Sequence, residues 1–122
     1  MFKDHYLYLC SLYSEQPNQR LLKNIRISSQ KLLIMEQANI CDRQMKVILA
    51  TIEALLSGIN GISFSHNQFL KDYSLKLLVE FFEKHRGIQY LLLEKINVTD
   101  SAMLRFIEML PFLDNLQVLN LA

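Results

Sequence analysis

The residues of this 122-residue chain whose types could carry chemistry are few: His5, His66 and His85, Cys10 and Cys41, and the glutamates Glu36 and Glu94. A cysteine beside a histidine could form an activated thiolate. Two neighbouring carboxylates could divide acid and base roles. Neither pairing follows from the spacing. The residues are scattered along the chain, with no phosphate loop, metal-ligand cluster or nucleophile elbow among them. What they can do depends on the elements that position them.

Those elements belong to one compact domain. Hydrophobic residues make up 51% of the chain, enough to bury a core. Thirteen basic residues stand against 12 acidic ones, a net charge of +1, which leaves no electrostatic footprint for nucleic acid or a lipid surface. Cys10 and Cys41 have no metal-ligand spacing and read as thiols of a reducing compartment. The first residues, MFKDHYLYLCSLYSEQ, lack the basic and apolar regions of a signal peptide. No apolar run reaches the length of a membrane span. Without a secretory route, the sequon NVT at Asn97 is read as incidental.

One pattern recurs. In INGISFSHNQF, large apolar residues fall at Ile59, Ile62, Phe64 and Phe69, with Asn67 between. Shifted forward so that Ile59 falls on Ile88, the template also meets Leu91, Leu93, Ile96 and Val98. A second shift, from Ile88 to Leu116, is one position shorter and reaches Leu119 and Leu121. Shifted back by the first step, it misses at Gln30 and fits at Leu33, Met35, Ala38 and Ile40. A looser copy starts at Leu7, Leu9 and Leu12. Between the copies, Asp42, Asp72 and Asp100 each precede a helical stripe and are expected to cap it. The stripes are Met45, Ile48, Leu49, Ile52, Leu55; then Leu75, Leu78, Val79, Phe82; then Met103, Phe106, Ile107, Leu110, Leu113. Gly58 and Gly87 follow the first two, where a left-handed residue would close the last turn. Each unit is therefore strand, turn and helix, and a fixed period of such units signals a solenoid.

The strand portion follows L-x-x-L-x-L-x-x-N-x-L, and INGISFSHNQF matches it at every fixed position. It resembles the leucine-rich repeat, and the period with a full helix resembles the ribonuclease-inhibitor-like subclass. The resemblance covers Gln30 to Ala122 well and Phe2 to Ser29 loosely. It implies an α/β leucine-rich-repeat solenoid of about four repeats, with a curved parallel sheet on the concave face and helices on the convex face. The expected division of a single domain 1–122 is 1–29 as a degenerate first repeat or N-terminal cap, 30–58, 59–87 and 88–115 as repeats, and 116–122 as the start of a further one. Ala38 and Ile96 stand where the family has Asn or Cys, so those turns need other partners, with Asn39 and Asn97 nearest.

Side chains between the inward ones should face the concave sheet. The three columns read Tyr6, Leu32, Gly61, Tyr90, Val118; then Tyr8, Ile34, Ser63, Leu92, Asn120; then Cys10, Glu36, Ser65, Glu94, Ala122. Two columns are largely apolar and the third holds two acids. Such a patch with a charged edge fits a protein interface, and the expected partner-binding residues are Tyr6, Tyr8, Leu32, Ile34, Glu36, Tyr90, Leu92, Glu94, Val118 and Asn120. The competing reading has Tyr6 and Tyr8 buried beneath an N-terminal cap and apolar neighbours covering each other. On these columns Cys10 and His66 lie two strands apart, about 9.6 Å, beyond hydrogen-bond reach. Glu36 and Glu94 are also separated by a whole repeat and read as rim charges that select a partner.

The expectation is a cytoplasmic module, not an enzyme, that needs no cofactor or metal. It would bind another protein through the concave sheet, inhibiting or scaffolding it, and not nucleic acid, membrane or a small molecule. The wording rich in Ile, Lys, Leu and Asn resembles repeat modules of secreted bacterial effectors, which implies delivery into a host cytosol. Some members of the subclass activate small GTPases through an arginine near the concave rim; Arg43 and Arg86 lie near helix ends but show only the context of solvated ends. The alternative is a regulatory leucine-rich-repeat region of a larger enzyme, such as a GTPase-activating protein or ubiquitin ligase. LQVLNLA stops inside the strand signature, and the favoured reading is a piece of a longer array.

Overall fold

The computed structural model describes residues 2–29, 31–55, 58–85, 87–96, 98–109 and 117–119. The chain begins with helix α1 (Phe2–Leu12) and a short α2 (Gln19–Asn24), followed by strand β1 (Arg26–Ile27). Then strand and helix alternate: β2 (Leu32–Ile34), a 3-10 turn (Asp42–Gln44) leading into α3 (Met45–Glu53), β3 (Gly61–Ser63), α4 (Asp72–Lys84), β4 (Tyr90–Leu92), α5 (Asp100–Met109) and β5 (Gln117–Leu119). The strands form one mixed sheet in the order β1-β2-β3-β4-β5. β1 pairs antiparallel with β2, and the remaining pairs are parallel.

The central strands follow the period of the sequence. Leu32 pairs with Gly61 and Gly61 with Tyr90, two equal steps that match the shift from Ile59 to Ile88. Backbone bonds carry the ladder beyond the strands: Met35 N donates to Ser63 O (2.9 Å), Phe64 N to Leu92 O (3.0 Å) and His66 N to Glu94 O (2.7 Å). Alternation then sends Leu33, Met35, Ile62, Phe64, Leu91 and Leu93 into the core, all fully buried. The helices supply the opposite wall through Ile48, Ile52, Leu78, Phe82 and Phe106. α3 packs against both α1 and α4. That position explains why Val47 and Thr51 are buried in addition to the expected stripe.

Several expectations are corrected. The first residues form no strand. α1 turns Phe2, Tyr6, Leu9 and Cys10 inward at helical spacing, and α2 with β1 completes the N-terminal part. Tyr6 is therefore buried and Tyr8 lies exposed on a helix, neither on the sheet face. At the other end, Tyr90 pairs with Gln117 and Leu91 with Val118, a step one position shorter than the sequence template takes from Ile88 to Leu116. Val118 thus pairs with Leu91 and not, as the columns have it, with Tyr90. Asn120 lies outside the described residues, as do Arg86, Asn97, Leu110 and Leu113. Phe69 is 53% exposed, and Leu70 fills the core place beside it.

The turns are also built differently from expectation. No glycine has a positive φ; Gln37 (53°), His66 (62°) and Lys95 (58°) do, at equivalent places in the turns after β2, β3 and β4 and in step with the strand register. Asp42 and Asp72 do not cap their own helices. Asp42 Oδ1 accepts from Lys71 N (2.9 Å) and the Ser74 hydroxyl, while Asp72 accepts from Thr99 N (2.9 Å) and Thr99 Oγ1 (2.8 Å). Each aspartate therefore ties its turn to the corresponding turn of the next unit. Thr99 Oγ1 in turn accepts from Ala102 N (3.1 Å) at the start of α5, in place of an Asp100 cap.

Asn67 does what its position in the motif suggests. Fully buried, its Oδ1 accepts from Ala38 N and Ile40 N, both at 3.1 Å. Its Nδ2 donates to Met35 O and Phe64 O (2.8 Å each) and more weakly to Ser65 O (3.3 Å). The turn around Ala38, which has no such side chain of its own, is satisfied by its neighbours: Asn67 on one side and Asn18 on the other, whose Nδ2 donates to Ala38 O at 2.9 Å. Asn39, the expected substitute, adopts a left-handed φ of 53°.

Candidate functional site

The sheet face turned away from the core carries a three-by-three grid on the central strands. In register across β2, β3 and β4 lie Leu32, Gly61, Tyr90, then Ile34, Ser63, Leu92. The ladder bonds of Met35, Phe64 and His66 extend the same alignment to Glu36, Ser65, Glu94. The outer columns are large and half-buried. The middle column is small and buried, with Ser63 1% and Ser65 2% exposed.

The reason is local crowding. A methyl group placed on Gly61 would lie 2.5 Å from Leu32 Cδ2, 2.7 Å from Tyr90 Cβ and 2.9 Å from Tyr90 O. Only a residue without Cβ lets β4 approach this closely while Leu32 reaches over the strand. The serines are satisfied within the grid. Ser63 Oγ donates to the Glu36 carboxylate and accepts from Ser65 N (3.4 Å). Ser65 Oγ accepts from Glu94 N (3.0 Å). The competing expectation that neighbours cover one another therefore holds for the middle column, and the accessible face consists of Leu32, Ile34, Tyr90, Leu92 and the two glutamates. Sequence reasoning missed Arg26, which β1 places opposite Ile34 and so on this face. A cation at the start of a short strand, after an unrelated helix, gave no periodic signal.

The three histidines sit on separate elements. His5 is on α1, His66 in the turn after β3, and His85 at the C-terminal end of α4. His85 packs on the Phe81 ring (4.8 Å between centroids), with Nε2 3.5 Å from Glu53 Oε2. Cys10 and Cys41 are both free thiols. Cys10 is buried beside the Tyr6 hydroxyl, and burial pushes its thiol up from the ordinary range, partly offset by the Tyr6 hydrogen bond. The Tyr6 phenol is raised strongly, mainly by burial; its oxygen accepts from Asn18 N at 2.9 Å. Asp72 is held below the usual carboxylate range, first by the Thr99 backbone N–H and then by the Thr99 hydroxyl. Arg43 makes an exposed ion pair with Glu15 at 3.6 Å, of the kind that contributes little.

Among the described residues, no group of three or more His, Cys, Asp or Glu side chains is placed to hold a metal ion. No described helix is long and apolar enough to cross a membrane. A groove of about 570 Å³ lies on the helical layer between α4 and α5, floored by Leu75, Val79, Ala102 and Phe106. Its rim carries charges of both signs, Lys76 and Arg105 with Glu80 and Glu108. Comparison with protein-family models, with curated proteins and with solved structures returned no match.

Proposed function

We propose that the chain is a leucine-rich-repeat module of the ribonuclease-inhibitor-like kind that binds another protein through the open face of its sheet, inhibiting or scaffolding it without catalysis. The observation that carries this reading is the grid itself: Leu32, Ile34, Tyr90 and Leu92 remain partly exposed together on one sheet face. Contiguous apolar surface of this kind is costly to leave in water and marks interaction sites. The regular register of the central strands and the Asn67 and Asp42 links between units support the repeat reading. The free thiols fit a cytosolic setting, which for a bacterial effector would be the host's.

The test separates binding from folding on one strand. Tyr90→Ala and Leu92→Ala should melt close to wild type and lose partners recovered by the wild-type chain from cytosol. Leu91→Ala and Leu93→Ala, which empty fully buried sites, should cost about 2–5 kcal/mol of stability. Folded Tyr90→Ala and Leu92→Ala proteins that retain every wild-type partner would refute the face as the binding site.

A further inference from the structure

We infer that the partner presents a basic side chain, arginine or lysine, to the Glu36 and Glu94 end of the grid. This inference rests on the open sheet face being the binding face, and adds the chemistry of what lands there. Glu36 and Glu94 flank the buried Ser65 on the two outer columns. Two strand spacings separate them, on the order of 9–10 Å between backbones, so one long cationic side chain can lie between their carboxylates. Neither glutamate belongs to an ion pair among the described residues. Ser63 takes one oxygen of Glu36, which fixes that side chain toward the grid and leaves its other oxygen available.

The neighbouring rows define the rest of the partner. The Ile34/Leu92 row lies two positions along the strands from the glutamates and the Leu32/Tyr90 row four, roughly 7 and 13 Å. An extended segment running along the strands therefore meets the face with a basic residue, then apolar residues two and four positions away. A carboxylate that pairs with such a cation beside an apolar surface forms a stronger hydrogen bond than in water. Arg26 is the one cation on the described strands, across from Ile34 at the β1 edge. It opposes a basic partner.

A random peptide library displayed on phage, selected against the whole chain, tests this. Enriched peptides should carry Arg or Lys with apolar residues at every second position, and their binding should fall on Tyr90→Ala or Leu92→Ala. Glu36→Gln and Glu94→Gln keep the shape, and the amide oxygen introduced by Glu36→Gln could still accept from Ser63. They should weaken the same peptides roughly tenfold or more each, the size of a hydrogen bond to a charged group. Arg26→Ala should leave affinity unchanged or raise it. Peptides that need Tyr90 and Leu92 but lack a basic residue, or that bind worse on Arg26→Ala, overturn the basic-partner inference and leave the face reading standing. Recovery of no peptide sensitive to Tyr90→Ala or Leu92→Ala overturns the face reading itself.

Discussion

Replacing Asn67 with alanine should come close to unfolding the protein. The side chain is fully buried and serves two turns at once. Truncation removes the sole acceptor shown for the N–H groups of both Ala38 and Ile40, and the donor to Met35 O and Phe64 O. The Ser65 contact at 3.3 Å shares the same two amide hydrogens and adds little. An orphaned buried donor or acceptor costs about 1–3 kcal/mol. Two donors and two acceptors therefore sum to about 4–12 kcal/mol, against a total of about 5–15 kcal/mol for a domain of this size. Urea denaturation followed by circular dichroism reads the loss directly. Asn67→Asp refines it. The carboxylate still accepts from Ala38 and Ile40 but faces two carbonyls without a hydrogen to give. Burial and the two facing carbonyls should raise its pKa against the opposing pull of the Ala38 and Ile40 N–H groups, so the variant should be most stable below the ordinary aspartate range and lose stability as pH rises through and above it. A cost below about 1 kcal/mol for Asn67→Ala, or no acid-side recovery for Asn67→Asp, would refute the account of the turns.

Four further outcomes follow from the same geometry. Gly61→Ala must push β4 or Leu32 aside and should cost about 1–3 kcal/mol, whereas Gly87→Ala, with open space around it and no positive φ, should be neutral or stabilising by up to about 1 kcal/mol; paired thermal melts compare them. A thiol reagent should label half-buried Cys41 quickly and buried Cys10 only through opening of the fold. Stability should fall as pH rises through and above the ordinary thiol range, because the folded state holds the Cys10 and Tyr6 protons more tightly than the unfolded chain does. Asp72→Asn should remove part of the acid sensitivity in a pH series of melts: the Thr99-bound carboxylate stabilises above the ordinary aspartate range and loses that contribution as pH falls through and below it.

Much of the central part of the chain was legible because two periods coexist in it. Alternation placed Leu33, Met35, Ile62, Phe64, Leu91 and Leu93 in the core, and the helical stripes placed Ile48, Ile52, Leu78 and Phe82 there. The N-terminal segment failed because LYLCSLY satisfies both patterns locally. The outcome is set by packing of α1 against α3, a tertiary fact that local spacing does not contain. Val118 failed because Leu116, Leu119 and Leu121 suit the template one position out of step with the backbone pairing of Leu91 with Val118. The left-handed turns were invisible for a different reason. Gln37, His66 and Lys95 occupy a conformation that glycine or asparagine would have advertised. The contacts on either side, such as His66 N with Glu94 O, hold them there despite the steric cost.

The proposed binding face was half legible, and the missing half changes its physics. The columns identified which residues face outward, but burial of Gly61, Ser63 and Ser65 depends on how far the flanking side chains lean across β3. Leu32 already packs over Gly61 and Glu36 already bonds to Ser63 in the free protein. These side chains have therefore lost much of their rotamer freedom before any partner arrives. Ordering a free side chain at an interface costs about 0.5–1.5 kcal/mol, so a face whose anchors are fixed in advance binds more tightly for the same area. On this argument the small residues of β3 act without touching the partner. They let Leu32 and Glu36 settle over β3, and on the proposed function it is this settled surface, with two carboxylates at one end, that a partner would meet.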